Sequence, residues 1–349
     1  MKFAKLATLN INEINELKSS KVEASDGDKL LTWAASQNIS FLEEKFTVLG
    51  KDLFRFQGSI EQDGINFYSF GRSAGRKLAA IKSTAEIIER LVFNEFTKQA
   101  IPLNLNIEIK DGQYEIQKSD SPTVIESSFF NSNGWAVDFS VEKAIDRALR
   151  EAIERHLLIL TFAKYRWDGF FEINQTQMTD YQFRSVVSKI SLAGFSAGMA
   201  LCQSPRYNGI SLGYLADSTN RIATSEKWEQ AFYESFDLIR VKESNPAAQM
   251  QKDLIGRELE YYLNAPFEHS FTDEGQIVEL KKELYSNLAV IDLKKFLNLP
   301  VPFFAAVVHS GDLLPLYFTD SLTVDGKKHI KNLCEKWELS ELPERHPIL

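Results

Sequence analysis

The sequence predicts an α+β domain of mixed sheets and helices, and three observations predict it. Short runs rich in aromatic and β-branched residues, bounded by Gly, Asn or Pro, read as strands. Two longer stretches carry apolar residues at three- and four-residue spacing, the mark of a helix with one buried face. Strands and helices of this length are interspersed along the chain, with no low-complexity segment or clear linker between them.

Taken in order, the strands are expected at residues 66–70, 135–139, 196–202, 210–215 and 302–308. The first helix follows the first strand, with Leu78, Ile81, Ala85, Ile88 and Val92 as its buried stripe. The second follows residues 135–139, with Ser140 as N-cap and Ala144, Ala148, Ala152 and Ile159 as its stripe. A third helix is expected over residues 226–241. Residues 19–28 and 118–123 are polar and short, and read as surface loops. Residues 1–60 are expected as an N-terminal segment packed on a main domain of residues 61–349.

The 349 residues are 44% hydrophobic and 25% charged, average for a globular chain able to bury its own core, and 25 phenylalanines point the same way. A net charge of −8 argues against nucleic acid, because that partner needs a basic face and Lys327-Lys328 is short and flanked by acids. Two cysteines, Cys202 and Cys334, lack metal-ligand spacing, so neither a disulfide framework nor structural zinc is expected. No secretory apolar stretch and no run near ~18 apolar residues is present, so the expectation is a cytoplasmic protein without a membrane span.

The two clear helices carry the same text. One reads Glu86-Ile87-Ile88-Glu89-Arg90, the other Glu151-Ala152-Ile153-Glu154-Arg155. Glutamates three apart share one helix face and repel unless a cation lies between them. Magnesium supplies such a cation, taking carboxylate oxygens and completing its shell with water and phosphates. The adjoining arginine suits a phosphate oxygen. The bland alternative is that Arg147 or Arg150 pairs with Glu151 or Glu154 on the helix surface. A glycine-bearing turn, Gly71-Arg72-Ser73-Ala74-Gly75, precedes the first helix, and Ser132-Asn133-Gly134 precedes the second.

These blocks, in this order, resemble the YcaO family of ATP-dependent enzymes, whose members activate peptide-bond oxygens by phosphorylation. Gly71, Arg72, Ala79, Glu86, Glu89 and Arg90 match the family's first block without a gap. Ser132, Asn133, Gly134, Ala144, Glu151, Glu154 and Arg155 match the second, and Ala231-Phe232-Tyr233-Glu234 resembles a later helix. The resemblance spans residues 71–240. It implies a single YcaO-like domain with internal pseudo-repeats and an ATP site between the two glutamate helices. Glu86, Glu89, Glu151 and Glu154 would be the catalytic, Mg2+-holding set. Arg72, Arg90, Asn133, Lys143, Arg155, Glu234 and Arg240 would contact the nucleotide. The implied activity is azoline cyclodehydration, or thioamidation, of a ribosomally synthesised precursor peptide, with a partner protein to recruit it. A homodimer is also compatible with the family.

The chain departs from the pattern at identifiable positions. Arg72 replaces the family's lysine, Lys82 a serine, and Phe139 and Lys143 an asparagine and a glutamate that face the nucleotide. Arg240 falls one residue late, and the C-terminal tail holds only two prolines. Two alternatives therefore stand beside the enzyme reading. One is a catalytically inactive, peptide- or partner-binding subunit of the same fold. The other is a serine hydrolase using Ser73 of Gly-x-Ser-x-Gly, with His309 or His329 as base and Asp312 or Asp320 as orienter. No P-loop sequence is present. His156 and Trp167 read as core or edge residues.

Overall fold

Whether each apolar run becomes a strand or a helix face follows from what its alternation buries, and the computed structural model shows the outcome for residues 8–18, 23–48, 50–99, 102–124, 134–178, 180–244, 262–272, 275–314, 324–340 and 342. Helices α1 (Ile11–Lys18) and α2 (Asp26–Ser36) lead into strands β1 (Ser40–Val48), β2 (Lys51–Gln62) and β3 (Ile65–Ser73). Next come α3 (Arg76–Lys98), β4 (Pro102–Lys110), β5 (Gln113–Val124), β6 (Trp135–Asp138) and α4 (Val141–Tyr165). Strands β7 (Phe170–Met178), β8 (Tyr181–Leu192), β9 (Phe195–Gln203) and β10 (Ile210–Ser218) precede α5 (Trp228–Ser244). The described elements end with β11 (Val278–Glu279), β12 (Glu283–Asp292), α6 (Leu293–Leu297), β13 (Phe304–His309) and α7 (Val324–Lys336). This is an α+β fold, as the sequence predicts.

The chain divides into two compact units. The first comprises Met1–Glu108, Glu115–Leu149 and Tyr285–Ser310; the second comprises Ile109–Tyr114, Arg150–Leu284 and Gly311–Leu349. Ile60, the end of the expected N-terminal segment, lies inside β2.

The first unit holds an antiparallel meander, β1-β2-β3, and a sheet of order β5-β4-β12-β13-β6. Asp63-Gly64 and Asp111-Gly112 turn these hairpins with both residues at positive φ, the type I′ geometry that matches strand twist. Its core joins Ile88, Val92 and Phe96 of α3 to Trp135, Ile291, Phe303 and Val307. Trp135 meets Phe96 edge-on at 4.7 Å between ring centroids. Against β3, α3 lies so close that a Cβ on Gly71 would fall 1.9 Å from the carbonyl oxygen of Ala79. Glycine is required there.

The second unit repeats that arrangement. Strands β8, β9 and β10 form an antiparallel meander, extended on the far side of β8 by β7 and β11, and α5 follows β10. A Cβ on Gly213 would fall 1.9 Å from the carbonyl oxygen of Ala231, the same contact between strand glycine and helix alanine. Phe232 of α5 packs on Phe183, and the Trp228 indole donates to the Ile222 carbonyl at 2.7 Å.

All five expected strands and all three expected helices are present. Ser140 caps α4, its hydroxyl accepting the Lys143 N–H at 3.4 Å, and Ala144, Ala148, Ala152 and Ile159 are buried. Three local expectations are corrected. Leu78 is 50% exposed, because the buried face of α3 is centred on Ala79, Ser83, Ile87 and Leu91 instead. Residues 118–123 belong to β5 rather than a loop: a strand at a sheet edge tolerates their polarity and Pro122. Asp26–Asp28, placed in the other expected loop, open α2.

Candidate active site

In the first unit, α3 brings Glu86, Glu89 and Arg90 onto one side. Glu86 is engaged twice. It accepts the Phe70 N–H of edge strand β3 at 2.7 Å, and it pairs with Arg90 Nη2 at 2.6 Å. Arg90 is thus turned back along its own helix toward Glu86. Glu89, one turn on, is partly buried, and burial together with the neighbouring Glu86 charge pushes its carboxyl up to about 7; Arg147 and Arg90 oppose the rise. Arg72, on β3, lies 5.7 Å from the Phe70 ring. Lys143 is exposed in the first turn of α4.

In the second unit, Glu151, Glu154 and Arg155 project from α4. The Glu154 side chain is 12% exposed, and burial pushes its carboxyl up to about 7, with Glu234 of α5 adding to the rise and Arg155 and Lys227 opposing it. Arg155 lies 3.6 Å from Glu154, Nε to Oε1, an ion pair without a hydrogen bond. Its guanidinium sits 4.8 Å from the centre of the Tyr214 ring. Nε and Nη1 of Arg155 are buried and meet no acceptor among the described residues. Glu234 accepts from Gln230 at 3.1 Å, and Arg240 is 3.4 Å from Asp237. Asn133 and Ser132 lie outside the described residues.

The surface ion pairs weighed for Arg147 and Arg150 are not the main ones formed. Arg147 reaches Asp138 at 3.3 Å, and Arg150 reaches the buried Asp217 at 2.9 Å. Two contributors carry no sequence signal: Lys227, which opposes the rise of the Glu154 carboxyl, and Tyr214. A strand tyrosine that faces an arginine becomes visible only once the strand is placed.

Within each unit, no group of three or more His, Cys, Asp or Glu among the described residues draws close enough to hold a metal alone. Each set does carry an unmet electrostatic demand. Two carboxyls are raised by burial despite nearby cations, and Arg155 keeps Nε and Nη1 without a hydrogen-bond acceptor among the described residues. Such residues fit Mg2+ with a polyphosphate, since that ion keeps waters and takes only one or two carboxylates.

The Ser73 alternative fares differently. Its hydroxyl accepts the Gly75 N–H at 3.2 Å and contacts no histidine among the described residues. Ser73 also lacks positive φ, the strained backbone of a nucleophile elbow. Asp320 and the His329 side chain are outside the described set. His156 is a core residue, as expected: fully buried, its Nδ1 accepts the Leu314 N–H at 2.9 Å, and burial pushes it down to about 3.

Solved structures share this architecture. YcaO from Methanopyrus kandleri, bound with AMPPCP and Mg2+, is 14% identical with a TM-score of 0.47, over 92% of this chain and 96% of that one. A heterocyclase in complex with substrate and cofactor is 12% identical with a TM-score of 0.52, covering 98% of this chain and 58% of that one.

The chain shares the fold of that heterocyclase.

The heterocyclase TruD is also similar, at 9% identity and a TM-score of 0.35, over 70% of this chain and 39% of that one. The chain therefore spans 58% and 39% of the length of these two heterocyclases. No protein-family model matches the chain, and no curated protein does. Among the described residues, no helix of this chain is long and apolar enough to cross a membrane.

Proposed function

We propose that the chain is an ATP-dependent enzyme that activates a backbone amide of a ribosomally made peptide by phosphorylation. The supporting observation is the pair of partly buried carboxyls, Glu89 and Glu154, both raised to about 7 on Glu-x-x-Glu-Arg helices of a heterocyclase-like fold. A raised carboxyl with no catalytic or cationic partner costs stability, and such groups gather at functional sites.

Glu86, Glu89, Glu151 and Glu154 would hold Mg2+, Arg155 would hold phosphate, and Arg90 would keep Glu86 oriented. Arg72, Lys143, Glu234, Arg240 and Asn133 remain nucleotide contacts proposed on the family resemblance. When bound, Mg·ATP supplies the phosphoryl group, which goes to the amide oxygen, so that this oxygen later leaves as phosphate and an azoline or thioamide results. This chain's residues contribute by positioning and by charge. The buried guanidinium of Arg155 acts where little water screens it, which strengthens its hold on charge that develops in the transition state.

The test is phosphate release from ATP with Mg2+, with a Cys/Ser/Thr-rich precursor peptide and its recruiting partner added in turn. Peptide-stimulated release with loss of 18 Da from the peptide supports azoline formation. A gain of 16 Da when sulfide is supplied supports thioamidation. One observation favours a second reading, a binding subunit without turnover: Phe139 packs edge-on against Phe303 at 4.9 Å, so a core contact occupies a position where the family presents a polar group to nucleotide. Tight nucleotide-independent peptide binding with no phosphate release would support that reading.

A further inference from the structure

Arginines near carboxylates usually spend their in-plane N–H groups on them, and Arg155 does not. Glu154 is beside it, yet at 3.6 Å, too far for a hydrogen bond, and Nε and Nη1 are buried without an acceptor among the described residues. The guanidinium carbon instead lies over the Tyr214 ring, 4.8 Å from its centre. Stacking on an aromatic face holds a guanidinium by its π surface and leaves its edge donors unspent.

The strand dictates which way Tyr214 points. In β10, neighbouring side chains alternate faces. Gly213 meets Ala231 of α5 on one face, so Tyr214 is presented to the other, where Arg155 of α4 lies. Four residues back on α4, Glu151 also contributes to the field that favours the Arg155 charge. Five residues back, Arg150 is anchored to Asp217 of the same strand at 2.9 Å. Asp217 is in turn fixed by the Ser225 hydroxyl at 2.7 Å and the Ser218 N–H at 2.8 Å. The α4 segment that carries Arg155 is therefore tied to β10 at two points, one ionic and one aromatic.

We propose that Tyr214 is a positioning residue: its ring sets the plane of Arg155 so that Nε–H and Nη1–H are held ready for the phosphate oxygens of the bound nucleotide. This rests on the nucleotide reading above. The role belongs to the ring face, not the hydroxyl.

The test titrates a β,γ-methylene ATP analogue with Mg2+, and separately inorganic triphosphate with Mg2+, into the full chain and its variants. Tyr214→Phe keeps the face and is expected to bind both ligands within about two-fold of the native protein. Tyr214→Leu is expected to weaken both by about 5- to 30-fold, the range of a desolvated cation–π contact. Adding Tyr214→Leu to Arg155→Lys is expected to cost nothing further. Should Tyr214→Leu unfold, Tyr214→Met replaces it. Native-like binding by the leucine or methionine variant, losses that multiply in the double variant, or a phenylalanine variant as weak as leucine would each overturn the proposal. If the native chain binds triphosphate but not the nucleotide analogue, the nucleotide reading falls while the same cycle on triphosphate still decides the role of Tyr214. If it binds neither, both fall.

Discussion

The two meanders share a frame and differ in charge. In each, a strand glycine admits a helix alanine so closely that a Cβ would stand 1.9 Å from its carbonyl oxygen. After β1–β3, however, the packed helix α3 itself carries Glu86, Glu89 and Arg90. After β8–β10, the packed helix α5 supplies Glu234, while the Glu-x-x-Glu-Arg text sits on α4, which precedes that meander. The charges are also satisfied differently. Glu86 is met by a strand N–H and by Arg90, whereas Arg155 keeps two buried donors unmet. The comparison teaches that backbone packing is repeated and the placement of functional charge is not, so the acids cannot be explained as a by-product of the fold.

The largest expected effect attacks the shared frame. Gly71→Ala and Gly213→Ala each force a methyl into backbone, and each should cost about 3 kcal/mol or more in urea unfolding, the upper range for overpacking. Equal losses would sharpen the equivalence of the two meanders. A mild effect at one site would break it.

Next in size is the burial of charge. A folded pKa near 7 against an unfolded value of 4.5 means that the folded state holds its proton more tightly. The resulting cost is absent below pH 4.5, grows as pH rises toward 7 and is complete above it. Glu89→Gln and Glu154→Gln should therefore stabilise the ligand-free protein by about 2–3 kcal/mol at pH 8, and hardly at all at pH 4, as read by melting at both. Destabilisation at pH 8 by either variant would show that the attraction of the neighbouring cations outweighs the cost of burying its carboxylate.

The smallest effect concerns Leu78. At 50% exposed, Leu78→Ser should change stability by no more than about 0.5 kcal/mol, against about 2–5 kcal/mol for Ile88→Ala in the core of the first unit.

Much of the frame was legible because its signals are local. Ser140 before an alanine stripe gave the start of α4, and the spacing of Ile88 and Val92 gave the buried side of α3. Leu78 misled because it continues the apolar spacing in the first turn, where the buried face is that of Ala79 and Ala80 instead. Strands β1 and β2 were hidden by charges such as Glu43, Glu44 and Arg55: Glu43 binds Arg76 on the outside, and Arg55 is buried against Glu44 and the Phe70 ring. The doubled glutamate motif was visible as text. Which acids are desolvated was not, because burial of Glu89 and Glu154 comes from elements distant in sequence. The contact between Tyr214 and Arg155 depends on strand placement and left no trace in spacing.

The central claim is tested most directly by calorimetric titration of an Mg2+-bound, non-hydrolysable ATP analogue at pH 6.5 and pH 8, in buffers of different ionisation enthalpy. The account predicts binding that releases protons at pH 6.5, tightens as Glu89 and Glu154 ionise by pH 8, and is lost in both Glu89→Gln and Glu154→Gln. Binding that is indifferent to pH and to both substitutions, or no binding by the folded native chain, would contradict it.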